Sequence, residues 1–78
     1  MKLSYDPRHN IAYLRLREKT AAVETIRVSD EVNIDLAPDG TVYGIEFLNA
    51  NEQIGVGGDG KLIVVNEAVG GQHEIPLG

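Results

Sequence analysis

The sequence predicts a small, mainly β (or small α+β) domain, an antiparallel meander of short strands with at most one helical turn near residues 49–54. Three observations lead there. Val32, Ile34 and Leu36 alternate with Asn33, Asp35 and Ala37, and after Pro38-Asp39-Gly40 a second alternating run follows over Thr41–Leu48. Period 2 puts successive side chains on opposite faces, which is the signature of a strand. β-Branched residues cluster again at Val23–Val28 and Leu62–Val65, where a pleated surface accommodates them best. Turn residues recur at roughly ten-residue intervals, the spacing of a β meander.

Taken in order, Lys2–Tyr5 is a short strand with Leu3 and Tyr5 on one face. Asp6-Pro7 begins a turn carrying Arg8, His9 and Asn10, because Pro fixes φ and the residue before it is pushed out of the helical region. Ile11–Leu16 returns as the second strand of a hairpin. Ala12, Leu14 and Leu16 share one face, and Ile11, Tyr13, Arg15 and Arg17 the other. Glu18-Lys19-Thr20 is a polar loop, and Val23–Val28 is extended, with a bulge or a ragged edge where its apolar side switches between Val23 and Ile26. A competing helical reading of Leu14–Val23 rests on Leu16, Glu18, Lys19, Ala21 and Ala22 as fair helix formers.

The central hairpin is Glu31–Ala50. Pro38 suits the first corner of its turn, Asp39 can accept a backbone N–H, and Gly40 tolerates positive φ. Tyr43, Ile45 and Phe47 face one way; Val42, Gly44, Glu46 and Leu48 face the other. Apolar residues on both sides mark this strand as central, and Gly44 leaves room for a bulky ring or a second backbone. Asn49 with Glu52 forms a weak capping box for one helical turn. Gly55–Gly60, with four glycines in six residues, reads as a flexible loop. Lys61–Asn66 is a strand apolar on both faces. Gly70-Gly71 turns the chain into Gln72–Leu77, where Pro76 belongs at an edge. The expected organisation is one domain over 1–78, a glycine-rich loop at 55–60, and a C-terminal hairpin or subunit-packing arm at 61–78.

The chain has 78 residues, no cysteine and a formal charge of −5 from 12 acidic and 7 basic side chains. Disulfides, thiolate nucleophiles and sulfur-ligated zinc are excluded. A domain this small without covalent staples favours oligomerisation, and a dimer is the expected state. The acidic balance disfavours broad contact with nucleic-acid phosphates. No apolar run reaches the roughly 20 residues that span a bilayer. MKLSYDPRHN lacks the apolar core of a secretion signal, so a cytoplasmic location is expected.

Few residues suggest chemistry. His9 and His73, with Asp6 and Glu74, make a metal group only if the termini meet, and ordinary exposed histidines are the simpler reading. Asp35 and Glu46 sit on paired strands, where close carboxylates can share a proton; with a histidine they define an alternative metal-binding or hydrolytic reading. The simpler role for Glu46 is a partly buried ion pair or hydrogen bond with Arg15 or Arg27. Gly55–Gly60 fails as a phosphate loop, since Gly60-Lys61 is followed by Leu62 and then by a strand. Asp39 and Asp59 lack the alternating ligands of a calcium loop. Tyr13, Arg15 and Arg17 form a possible partner-contact or weak nucleic-acid patch, with a ring beside guanidinium groups; pairing with nearby acids such as Glu24 is the plainer account. No catalytic, cofactor-binding or metal-binding residue is assigned, and no cofactor is expected.

Tyr5-Asp6-Pro7, Ala12-Tyr13-Leu14-Arg15-Leu16, Val32-Asn33-Ile34-Asp35-Leu36 with Asp39-Gly40, and Gly44-Ile45-Glu46-Phe47-Leu48-Asn49-Ala50 occur in this order. Together they resemble the small prokaryotic family catalogued as domain of unknown function 2283, over about residues 1–50. The resemblance implies a compact β-dominated fold and no defined activity, substrate or cofactor. It also implies an antitoxin-like or other partner-binding role. The function expected is therefore that of a small non-enzymatic oligomeric or protein-binding module.

Overall fold

A computed structural model describes residues 1–20 and 22–78. The strands are β1 (Lys2–Asp6), β2 (Ile11–Arg15), β3 (Glu24–Ser29), β4 (Val32–Leu36) and β5 (Val42–Leu48), followed by a helical turn α1 (Ala50–Ile54), β6 (Lys61–Asn66) and β7 (Gly71–Pro76). β1 to β5 form one antiparallel sheet in the order β1-β2-β5-β4-β3, and β6 and β7 form a separate two-stranded sheet. β3, β4 and β5 are a meander, and the β1–β2 hairpin docks on the free side of β5. That places β5 at the centre, as its two-sided apolar character requires. Ala21, one of the helix formers in the competing helical reading, lies outside the described residues; Ile11–Arg15 is strand and the described residues from Leu16 to Val23 contain no helix.

The central turn follows the chemistry of its residues. The Gly40 N–H bonds the Ala37 carbonyl at 2.9 Å, and the Asp39 carboxylate accepts the Thr41 N–H at 2.9 Å. Gly40 has φ +88°. The register shifts between Asp35 and Leu36, so the strands leave the turn with a bulge. A second shift falls between Arg27 and Ser29, at the far end of β3 from the Val23–Ile26 switch, and Glu24–Arg27 pair with β4 in unbroken register.

Register sorts the side chains onto two faces. Leu3, Leu14, Ile45, Ile34 and Ile26 stand opposite one another, one per strand, across the whole sheet. Beside them run Tyr5, Ala12, Phe47 and Val32. The opposite face carries Ser4, Tyr13, Glu46, Asn33 and Arg27 in one row, and Lys2, Arg15, Gly44, Asp35 and Thr25 in the next. One face is thus apolar and the other polar.

The core sits at one end of the apolar face. Ala12, Ala50 and Val56 are buried there, with Leu3, Tyr5, Phe47, Ile54 and Leu77 packed around them. Asn49 enters α1 in the left-handed conformation, φ 51°, and makes no side-chain cap, so the expected capping box does not form. Asn10 does that work from a distance. It is itself left-handed, φ 55°; its Oδ1 accepts the Asn51 N–H at 2.9 Å and its Nδ2 donates to Asn51 Oδ1 at 2.7 Å. Its carbonyl takes the Ala50 N–H at 3.0 Å. The β1–β2 turn thereby holds the start of the helix.

The 55–60 segment is a bonded knot, not the flexible loop its composition suggests. Gly58 and Gly60 both donate to the Gly55 carbonyl, and Gly57 donates to the Leu77 carbonyl at 2.7 Å. The backbone doubles back so tightly that a Cβ on Gly60 would lie 2.6 Å from the Gly55 backbone. Side chains larger than hydrogen do not fit there. The Leu77 N–H returns to the Gly60 carbonyl at 2.8 Å, so both ends of the β6–β7 hairpin are clamped at its base.

Candidate functional site

The polar face gathers some of the residues singled out in the sequence and separates others. Tyr13, on β2, reaches diagonally over Gly44 of β5, and its hydroxyl donates to Asp35 Oδ2 on β4 at 2.8 Å. A Cβ on Gly44 would lie 2.5 Å from the Tyr13 ring carbon Cζ. The space anticipated at Gly44 is therefore filled by this ring. Thr25 Oγ1 on β3 donates to Asp35 Oδ1 at 2.7 Å. Lys19, from the loop after β2, places Nζ 3.1 Å from Asp35 Oδ2 and 5.0 Å from the centre of the Tyr13 ring.

The electrostatics follow from these contacts. Burial pushes the Asp35 carboxyl up, but hydrogen bonds from Thr25, Tyr13 and Lys19 outweigh it and hold the group below the usual carboxylate range. Burial, then the bond to Asp35, raises the Tyr13 phenol. Asp35, followed by Tyr13, raises the Lys19 ammonium. Each group is held in its ordinary charge state at neutral pH. Asp35 is an acceptor already engaged by three donors, an arrangement that ties three strands and a loop together and leaves no idle base.

Asp35 and Glu46 share this face but do not meet. Asp35 stands opposite Gly44, whereas Glu46 stands opposite Asn33. Glu46 Oε1 accepts from Asn33 Nδ2 at 2.9 Å, so its partner is an amide in register, and neither Arg15 nor Arg27. Arg15 reaches Glu18 at 3.5 Å and Arg27 pairs with Asp30. Both leave the strand face for an acid three residues on in the adjoining turn, a shorter reach than crossing the sheet. Arg17 lies beyond the end of β2, where its N–H bonds the Tyr43 carbonyl at 3.3 Å. With Lys2 and Arg15 it lines a shallow surface depression, and the cation over the Tyr13 ring is Lys19.

His9 bonds Asp6 at 2.7 Å on the surface, and that bond lowers the Asp6 carboxyl. Asp6 lies four strand positions from the register row of Asp35, on the order of 13 Å away. His73 is on β7, in register with Val64. Among the described residues no group of three or more His, Cys, Asp or Glu side chains is placed to hold a metal ion. Lys19 and Thr25 had no sequence signal beyond polarity, because their roles arise from strand order.

The larger unsatisfied feature lies on the opposite side. The core cluster reaches only the β1–β2–β5 end of the apolar face. Ile26, at the far end of the apolar row, is 42% exposed. The β6–β7 hairpin projects as an arm whose strands pair only with each other. Leu62, Val64 and Ile75 lie on one face of it and Ile63 and Val65 on the other, and all five are exposed. Where the arm leaves the body, Leu62 and Leu77 face Leu3, Leu14, Phe47 and Ile54 across an apolar cleft of about 470 Å³. None of the described helices is long and apolar enough to cross a membrane.

No curated protein and no solved structure matches the chain. A family model described as "Protein of unknown function (DUF2283)" matches residues 2–51. The match takes in all five strands of the main sheet, the Tyr13–Asp35 network and the start of α1, and stops before the glycine knot and the arm. Because it covers well over half of the sequence, the chain belongs to the DUF2283 family.

Proposed function

We propose that this chain is a non-enzymatic, self-associating module, a homodimer whose contact surface is the apolar sheet face together with the C-terminal arm. One observation carries the reading: the single chain has too much surface. Its accessible area is 5601 Å², whereas a compact monomer of this mass exposes about 4,600–4,700 Å². The radius of gyration is 14.0 Å, against about 11.5 Å for a compact domain of this length. The excess of roughly 900–1,000 Å² is close to the ~800 Å² that each partner contributes to a standard stable interface. Among the described residues, only Ala12, Tyr43, Ala50 and Val56 are buried hydrophobics.

A second copy accounts for that surplus with the chemistry both surfaces need. The polar face, with Tyr13 and Arg15 and with Arg17 at its end, stays outward in such a dimer and is the surface on which a further protein partner would dock if the chain acts in an antitoxin-like way. Light scattering coupled to gel filtration tests the reading. A mass of twice the chain is expected at micromolar concentrations and above. A mass of one chain up to several hundred micromolar would overturn it.

A further inference from the structure

Resting on that self-association, we infer that the dimer forms by reciprocal arm exchange, in which the β6–β7 arm of each copy lies across the uncovered apolar sheet face of the other. The first argument is that the arm carries apolar side chains on both faces. Leu62, Val64 and Ile75 are on one, Ile63 and Val65 on the other, with exposures of 40–51%. A sheet with one apolar and one polar face is satisfied by a single covering layer. The outer face, that of Ile63 and Val65, also carries Lys61, Gln72 and Glu74, with Lys61 and Glu74 paired, so the face of Leu62, Val64 and Ile75 is the one that needs a covering layer. A run of exposed β-branched residues on unpaired strand edges is otherwise an aggregation site.

The second argument is dimensional. The apolar row Leu3, Leu14, Ile45, Ile34 and Ile26 crosses five strands, about 19 Å at the usual strand spacing. Each arm strand has six residues, about 20 Å in extended form. The arm is therefore long enough to cover the row. Its own copy's core reaches only as far as Phe47 on β5, which leaves Ile45, Ile34 and Ile26 for the partner.

The third argument is rigidity and charge. The paired bonds Gly57 to Leu77 and Leu77 to Gly60 fix the arm's departure from the body, so its ordering is already complete before association. The inner arm face has Leu62, Val64 and Ile75, with the imidazole of His73 but no carboxylate, lysine or arginine. The row it would cover is wholly aliphatic. Two copies that each carry a −5 charge can approach through such faces without setting acid against acid.

A mixing experiment distinguishes this arrangement from the alternatives. One variant, Val64→Asp, spoils the arm, and another, Ile26→Lys, spoils the far end of the sheet face. Both positions are exposed in the single copy, and circular dichroism confirms that each variant is folded. Each alone should weaken the dimer by roughly 100-fold or more, since a charge buried without a partner is costly. An equimolar mixture should recover a heterodimer by sedimentation velocity, because one copy keeps a sound arm and the other a sound sheet. An arm variant that stays dimeric means sheet-on-sheet packing and overturns the inference. So does a sheet variant that stays dimeric, or a mixture that remains monomeric. Val69→Asp, at the 77% exposed arm tip, repeats the arm test where the single copy has no packing to lose. A wild type that is itself monomeric overturns the self-association reading, whereas the other outcomes overturn only the mode of exchange.

Discussion

Gly44→Ala tests the polar-face network most directly. The new Cβ would sit 2.5 Å from Tyr13 Cζ and 2.7 Å from Cε2, whereas carbon atoms prefer about 3.5–4.0 Å. The ring must retreat by about 1 Å, and the 2.8 Å bond to Asp35 cannot survive that. A hydrogen bond to a charged acceptor is worth about 1.5–3 kcal/mol. Alanine recovers about 0.5–1 kcal/mol over glycine in a strand through the smaller entropy loss on folding. The net cost is then about 1–2 kcal/mol, or a Tm lower by roughly 5–15 °C in a domain of this size. In a Tyr13→Ala background the clash is gone, and the same substitution should stabilise by about 0.5–1 kcal/mol. Urea unfolding of the four proteins at one fixed concentration measures the cycle. The reversal of sign is the diagnostic. If Gly44→Ala costs the same in both backgrounds, or stabilises both, then the ring is not what selects glycine at this position.

Two further predictions concern the same sheet. Asp35 has its folded pKa held down, so its contribution is present above the unfolded value near 4 and is lost as pH falls through the folded value. The acid limb of a stability–pH curve should therefore be shallower in Asp35→Asn than in the wild type, and the difference between the two curves isolates Asp35 from Asp6 and Asp39, whose carboxyls are also lowered; parallel limbs would show that the network carries no charge-dependent stability. Asn10→Ala should cost about 2–3 kcal/mol in urea unfolding, from left-handed backbone together with lost bonds to Asn51, and Asn10→Gly should restore the backbone part alone; equal costs for the two would mean that conformation at this position contributes nothing.

The sequence carried the strands because their determinants are local. Alternation at Val32–Leu36 and at Tyr43–Leu48, the Asp39 acceptor and the Gly40 corner act within a few residues, and the central hairpin formed as those rules require. Strand order is another matter. β5 lies between β2 and β4, and that choice brings Tyr13 of β2 to Asp35 of β4 over the single glycine between them. No window of sequence shows Lys19 and Thr25 converging on the same carboxylate. Asn10 was hidden for the same reason: its left-handed backbone is local, but its partners lie 41 residues away. The glycine loop misled in the opposite direction. Composition measures how freely a chain can bend, whereas Gly55–Gly60 uses its missing side chains to let backbone meet backbone.

The two faces of the sheet answer different requirements, and the contrast bears on where function resides. On the polar face every acceptor that matters is occupied: Asp35 by three donors, Glu46 by Asn33. Such a network fixes register, since a one-residue slip would carry Tyr13 and Asp35 to the opposite side. The apolar face has the reverse condition, an aliphatic row with cover at one end only. Burial of that row and of the exposed apolar side chains of the arm would release free energy. The family-matched segment ends at Asn51, so the whole main sheet lies within it and the arm lies beyond it; under the proposed exchange, the arm is the part that would turn an open sheet face into a selective contact. On that division of labour, changes at Tyr13 or Asp35 alter stability first, and changes at Val64 or Ile26 alter association first.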